Sequence, residues 1–202
     1  VENNLGIFNS LNQESQIHII NFLKNKKTNP QLSQDISELL LIGFDGGDLQ
    51  ETRYLEKIKS SIENGLLKNI HIYGHVRSEK KLKELLDFFN QHNSKGIVST
   101  EMEGGFVDRF DLIRKEKNKD YLPASLSAQL STEEKKEQYE RMAQEIKKYG
   151  FNLNLAPVVD LYYKNAFLNR ENRTFSNNKE SVVDLLILKV KHMTTSTPLH
   201  NH

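Results

Sequence analysis

In the stretch "IVSTEMEGGFVDRF", residues 97–110, an apolar run stops at two carboxylates, Glu101 and Glu103, followed by paired glycines and Arg109. Carboxylates gathered at the mouth of a buried strand can bind a metal, run acid–base chemistry through split pKa values, or accept hydrogen bonds from hydroxyl groups. The third role suits a sugar, each of whose hydroxyls donates one bond. Arg109 would supply donors or neutralise the acids. Gly104 and Gly105 would let the backbone turn sharply and leave room for a ligand. Two further acids, Asp45 and Asp160, close the runs "ELLLIGFD" and "FNLNLAPVVD" in the same way. A fourth run, "NIHIYG", ends near Tyr73 with His75 just beyond. No His sits among the four acids at ligand spacing, so neither a metal nor a cofactor is expected.

The elements that must position these residues alternate along the chain. Leu11, Ile17, Ile20 and Leu23 predict a leading helix over 10–26, and "KNKKTNPQLSQD" reads as a loop. "ELLLIGFDGGD" reads as a strand apolar on both faces, as in a parallel sheet covered by helices. Leu55, Ile58 and Ile62 mark a helix that Asn64-Gly65 would end, and "NIHIYG" is the second strand. Ser78 and Glu79 start a helix whose stripe is Leu82, Leu85, Leu86 and Phe89. "KGIVST" is the third strand. Ser131 and Glu134 form a capping box before Tyr139, Met142, Ala143 and Ile146. "FNLNLAPVVD" is the fourth strand, and residues 179–193 form the last helix.

This alternation predicts an α/β fold with about four parallel strands and flanking helices. All strand ends of a parallel sheet lie on one face, so the acids should converge there. Residues 111–127 and 161–178 are long connections leaving that face, where functional loops cluster. Residues 1–34 read as an N-terminal helix and linker, 35–193 as the main domain, and 194–202 as a polar tail.

Composition narrows the partners. The 28 basic and 27 acidic side chains nearly cancel, which argues against nucleic acid or an anionic membrane surface. No apolar run approaches the ~20 residues of a membrane span. Cysteine is absent, and no export signal shows at the N-terminus. A cytoplasmic location is the expectation.

"STEMEGGFVDRF" resembles the Asp-x-Glu-Gly-Gly-Arg-Val-x-Arg-Phe signature of family 3 glycoside hydrolases, in their β-N-acetylhexosaminidase branch. "LLLIGFDG", "YGFNLNLAPVVDL" and "NRTFSNN" resemble other blocks of that family in the same order. The resemblance implies a (β/α)8 barrel that removes N-acetylglucosamine from glycan or peptidoglycan fragments. It also implies retention through an Asp nucleophile, with a His-Asp acid/base pair on a loop. Carried onto this chain, it makes Glu101 an acceptor for sugar hydroxyls and Arg109 and Arg173 the substrate-contacting arginines. Glu103 would orient the arginines, and Asp160 would line the pocket. Asp45, at the end of the first strand, completes the expected substrate-binding set.

Three departures qualify that picture. Glu101 replaces Asp, which displaces the carboxylate oxygens by about 1.5 Å. Phe106 stands where the signature has Arg. The Lys-His-Phe-Pro-Gly-His-Gly block, the acid/base loop and the nucleophile fall beyond residue 202. Lys191-His192 repeats the opening of that block, but it follows Arg173 without a strand between and reads as a polar helix end. A full barrel takes ~250 residues, so the expected architecture is an incomplete TIM-type (β/α) barrel with no catalytic residue of its own. Its unpaired edges call for a partner, either a second half-barrel or the missing C-terminal half. A non-catalytic sugar-binding or self-assembling half-barrel is the alternative.

Overall fold

The computed structural model describes residue 21, residues 30–114 and residues 121–195. The expected leading helix over 10–26 and most of the expected tail lie outside them. The described elements run in the order α1 (Pro30–Leu39), β1 (Ile42–Asp45), a 3-10 turn (Asp48–Gln50), α2 (Thr52–Glu63), β2 (Ile70–Tyr73), α3 (Glu79–His92) and β3 (Val98–Thr100). They continue with α4 (Ala124–Ser127), α5 (Thr132–Tyr149), β4 (Leu153–Asn154), α6 (Phe167–Arg170) and α7 (Lys179–Thr195). The fold is α/β, with four parallel strands in one sheet, order β1-β2-β3-β4, and flanking helices. Among the described residues no helix is long and apolar enough to cross a membrane. The chain divides into two compact units, Val1–Ser99 and Thr100–His202.

In the first unit β1 and β2 pair in parallel with Ile42 opposite Ile70 and Asp45 opposite Tyr73. Ile70 N donates to Ile97 O at 2.8 Å, which carries the ladder toward β3. Ile42, Phe44, Ile70 and Ile72 are buried, whereas Gly43, Asp45, His71 and Tyr73 are half-buried. The strands therefore alternate with period two rather than being apolar on both faces. The second face carries polar groups, such as the His71 Nδ1 and Ser99 Oγ pair at 2.9 Å.

The helices of this unit follow their sequence signals. Gly65 adopts a φ of 69° just after α2, a conformation that favours glycine. Ser78 Oγ accepts from Lys81 N at the start of α3, and Leu82, Leu85, Leu86 and Phe89 are fully buried. The polar segment 24–35, expected as a loop, is helical from Pro30 onward. Pro30 is the first helical residue, where its missing N–H costs nothing, and Gln31 donates to Asp35 one turn on at 2.8 Å.

In the second unit Ser131 and Glu134 complete the capping box of α5, and Gly150 ends that helix in the left-handed region. Tyr139, Met142, Ala143 and Ile146 are buried as its periodicity predicts. Phe110 packs against Tyr149 and Phe151 with ring centroids 4.7 and 5.6 Å apart. The fourth strand is far shorter than "FNLNLAPVVD", covering Leu153–Asn154 only. Leu155 N still reaches Thr100 O at 2.8 Å. The Asn154 carboxamide then accepts from Met102 N at 2.8 Å and donates to Met102 O at 3.2 Å. A side chain thus satisfies the backbone groups that a further ladder step would have used.

Candidate functional site

The candidate site grows from the end of β3 in the second unit. Asn154 pins the backbone of Met102, whose side chain is buried, with Glu101 and Glu103 on either side of it in the chain. A tight turn follows, in which Gly104 and Val107 bridge each other. Gly104 and Gly105 have φ of 100° and 61°, values that L side chains adopt only with strain. A Cβ on Gly104 would strike the Leu122 carbonyl, and one on Gly105 would come within 2.5 Å of Pro123 Cβ. The glycines make the turn as expected, but the space beside them belongs to residues 121–123 and not to a ligand. Gly105 N donates to Tyr121 O at 2.7 Å, which closes the contact.

Two carboxylate–guanidinium pairs stand on this turn. Arg109 Nη2 donates to Glu101 Oε2 at 2.5 Å, with the two side chains 12% and 22% exposed. Arg109 Nε is buried without a hydrogen-bond partner. Arg173 grips Glu103 with two bonds, Nε to Oε2 at 2.9 Å and Nη2 to Oε1 at 2.7 Å, the fork geometry that fixes orientation as well as charge. Its third nitrogen reaches Glu171 Oε2 at 3.4 Å. Its hydrogen bonds to the Glu103 carboxylate hold the Arg173 guanidinium above its ordinary pKa, against the opposing effect of burial.

The 161–178 connection places Arg173 through its own turns. Asn165 and Asn172 take positive φ, Arg173 N donates to Leu168 O at 3.0 Å, and Ser125 N donates to Asn172 O at 3.1 Å. The neighbouring Thr174 is buried and donates to Asn169 Oδ1 at 3.0 Å. Arg173 therefore leaves a braced loop.

The structure thus joins Glu101 with Arg109 and Glu103 with Arg173. Asp160 is exposed and takes part in neither pair. Asp45 belongs to the first unit, where its Oδ1 accepts from Gly47 N at 2.7 Å. Phe106, in place of the signature's Arg, is 61% exposed. Among the described residues no group of three or more His, Cys, Asp or Glu side chains is placed to hold a metal ion.

Two sets of residues escaped the sequence reading. Lys189 on α7 is 2% exposed, and its Nζ donates to Glu103 O at 3.0 Å beneath the Tyr139 ring, 5.4 Å from the centroid. Its signal was a lysine seven residues after Val182 on an apolar helix, which puts it on the core face. The second set is Asp108, Arg114 and Glu145. Arg114 donates through two nitrogens to Asp108 at 2.8 and 2.9 Å and reaches Glu145 at 2.8 Å. It also lies over the Tyr121 ring at 4.5 Å. This network anchors the segment after Arg109 to α5.

Chemically, a turn carrying two paired acids and two arginines offers both acceptors and donors to a polyhydroxylated ligand. Each carboxylate already accepts from a guanidinium.

The Glycosyl hydrolase family 3 N terminal domain matches residues 31–197. Among solved structures, a β-N-acetylhexosaminidase from Beutenbergia cavernae is similar with a TM-score of 0.65 at 20% identity, over 85% of this chain and 52% of that one. A glycosyl hydrolase of the same family from Mycobacterium smegmatis gives 0.62 at 15% identity, over 85% and 51%. The β-N-acetylglucosaminidase from Thermotoga maritima gives 0.61 at 16%, over 82% and 34%. The chain spans about half the length of the first of these, and no curated protein matches it. The fold, the order of its blocks and a family match over most of the sequence lead to one conclusion: this chain belongs to glycosyl hydrolase family 3, as its N-terminal domain.

Proposed function

We propose that the chain is the sugar-binding N-terminal half of a retaining β-N-acetylglucosaminidase and does not hydrolyse glycosides alone. The observation that carries this reading is the two carboxylate–guanidinium pairs gathered at one turn, the single bond Glu101–Arg109 and the fork Glu103–Arg173. A sugar hydroxyl can enter such a pair, donating to the carboxylate and accepting from the guanidinium, and at the Glu103–Arg173 fork it can do so while the second arm stays bonded. Retaining hydrolysis needs a nucleophile and a separate acid/base group, usually two carboxyl groups roughly 5–5.5 Å apart. Both acids on this turn are engaged in holding arginines, so those roles fall to groups outside it.

Calorimetric titration of the chain with N-acetylglucosamine, run beside hydrolysis of a chromogenic N-acetylglucosaminide, tests this proposal. Heat of binding without turnover is the expected result. Turnover by the purified chain would show that it carries its own acid and nucleophile.

Pairing with a C-terminal half is part of the same reading. Val183, Ile187 and Val190 on α7 are 47%, 60% and 45% exposed, although Val182 on the same helix is buried. Large apolar side chains left this exposed on a helix whose other side is already buried are candidates for a further partner. A groove of about 700 Å³ beside it is lined by Ile146, Phe151, Leu153, Pro157, Val190 and Met193. Because solved relatives run to about twice this length, the fitting occupant is a further strand–helix segment of the barrel. Sedimentation equilibrium of the chain alone should then give a monomer with a sticky apolar face. A stable dimer would assign the groove to a second copy instead.

A further inference from the structure

Lys189 has no place in the sugar-site reading, yet it is among the most completely buried side chains of the second unit. Taking an ammonium out of water is costly. Here it has one backbone acceptor, Glu103 O at 3.0 Å, and one aromatic face, Tyr139 at 5.4 Å. Tyr139 is itself fixed, its hydroxyl 3.0 Å from Ser127 Oγ, which in turn accepts from Gln138 Nε2 at 3.2 Å. A neutral donor could have satisfied the same carbonyl. The charge is therefore the feature that needs a reason.

That reason lies in what Glu103 does. Its carboxylate is forked by Arg173 and its carbonyl is held by Lys189, so the residue cannot turn about its own backbone without breaking one of the two. We propose that Lys189 is a positioning residue, which fixes the Glu103 turn from α7 and thereby sets where Arg173 presents its guanidinium to a sugar. This rests on the reading of the turn as a sugar site, although the tether itself does not.

Burial draws the Lys189 ammonium down to about 8, with the attraction of Glu103 opposing it. The titratable groups around it are Glu103 on the turn and Tyr139 on α5. Beyond them, Arg173 lies across the Glu103 carboxylate, and the Glu140–His192 pair at 3.0 Å joins α5 to α7. A neutral amine still donates to the carbonyl but loses the charge-assisted part of the bond, so the hold should weaken within an accessible alkaline range.

The test follows the amide resonances of Gly104 and Gly105 in the whole chain from pH 7 to 9.5, with N-acetylglucosamine affinity measured over the same range. In the wild type both amides should shift with one midpoint near that of Lys189, and sugar affinity should fall several-fold across it. In Lys189→Arg, which stays charged, both should be flat. In Lys189→Met, which keeps the volume, the amides should no longer titrate, and affinity should be weaker by roughly tenfold at every pH. Gly104 and Gly105 amides that ignore the lysine titration, or a Lys189→Met chain binding sugar like the wild type, would overturn the proposal. If the wild type binds no sugar at any pH, the sugar-site reading fails while the amide titration still decides the tether.

Discussion

The Asp108–Arg114–Glu145 network offers the sharpest energetic prediction. The Arg114 side chain is 8% exposed, that of Asp108 3% and that of Glu145 12%. Burial works against the Arg114 cation, and the bonds it donates to Asp108 and Glu145 more than offset it, holding the guanidinium protonated. Burial pushes the Asp108 carboxyl up, and Arg114 pulls it back. Arg114→Met removes the restraint and leaves two buried carboxylates facing each other. Breaking a buried pair from one side costs about 3–5 kcal/mol, and that loss is expected at pH 7. The sign of the pH dependence follows. Asp108, whose folded-state pKa lies above the unfolded value, binds more protons when folded, so its contribution to stability is greatest below that window and declines as pH rises through it. The deficit of the variant should therefore shrink between pH 7 and pH 4.5, as measured by urea unfolding followed by circular dichroism. Adding Asp108→Asn and Glu145→Gln to the variant should restore most of the loss at pH 7. A deficit below about 1 kcal/mol, or one that does not change with pH, would refute the reasoning.

Three other outcomes are expected. Lys189 should make the chain more stable as pH rises from about 8 toward 10.5, because the unfolded lysine keeps the proton that the folded one loses; the full effect is about 3 kcal/mol, and urea midpoints of Lys189→Met should lack this rise. The comparison belongs below pH 10, where buried Tyr139, whose pKa burial raises, does not yet contribute. Gly105→Ala should lower the thermal midpoint by the equivalent of at least about 1 kcal/mol, since it combines positive φ with contact on Pro123. Ser131→Ala should cost about 1 kcal/mol in the same melt, because Ser131 Oγ and N both bond within the capping box.

Much of the fold could be read from local signals because those signals act locally. Ser78, Gly65 and the Ser131–Glu134 box are each satisfied within a few residues, so nothing distant overrides them. The misread segments are those where a distant partner decides. Leu153–Leu155 looks like part of a longer strand, but the Asn154 side chain takes both backbone groups of Met102, fifty-two positions earlier, and shortens the ladder. The polar run 24–35 reads as a loop because it has no apolar stripe, whereas Pro30 within it gives a helix start.

The candidate site divides in the same way. Glu101 and Arg109 are eight residues apart, within one motif, and their pairing was within reach of the sequence. Glu103 and Arg173 are seventy apart and came together only through the family resemblance. Glu145 and Lys189 carried no motif at all. The nearby Lys191-His192 reads as a polar helix end, and nothing in that stretch marks Lys189 as buried. Only its register with Val182 sets it inside.

The central claim is that Glu101 and Arg173 hold a sugar through the carboxylate–guanidinium pairs they make at the β3 turn. Its most direct measurement is a calorimetric titration of N-acetylglucosamine into the wild-type chain, Glu101→Gln and Arg173→Met, each first checked for an unchanged circular dichroism spectrum. The account predicts binding to the wild type and at least roughly tenfold weaker binding to each variant. Equal affinity in all three, or no binding to the wild type, would contradict it.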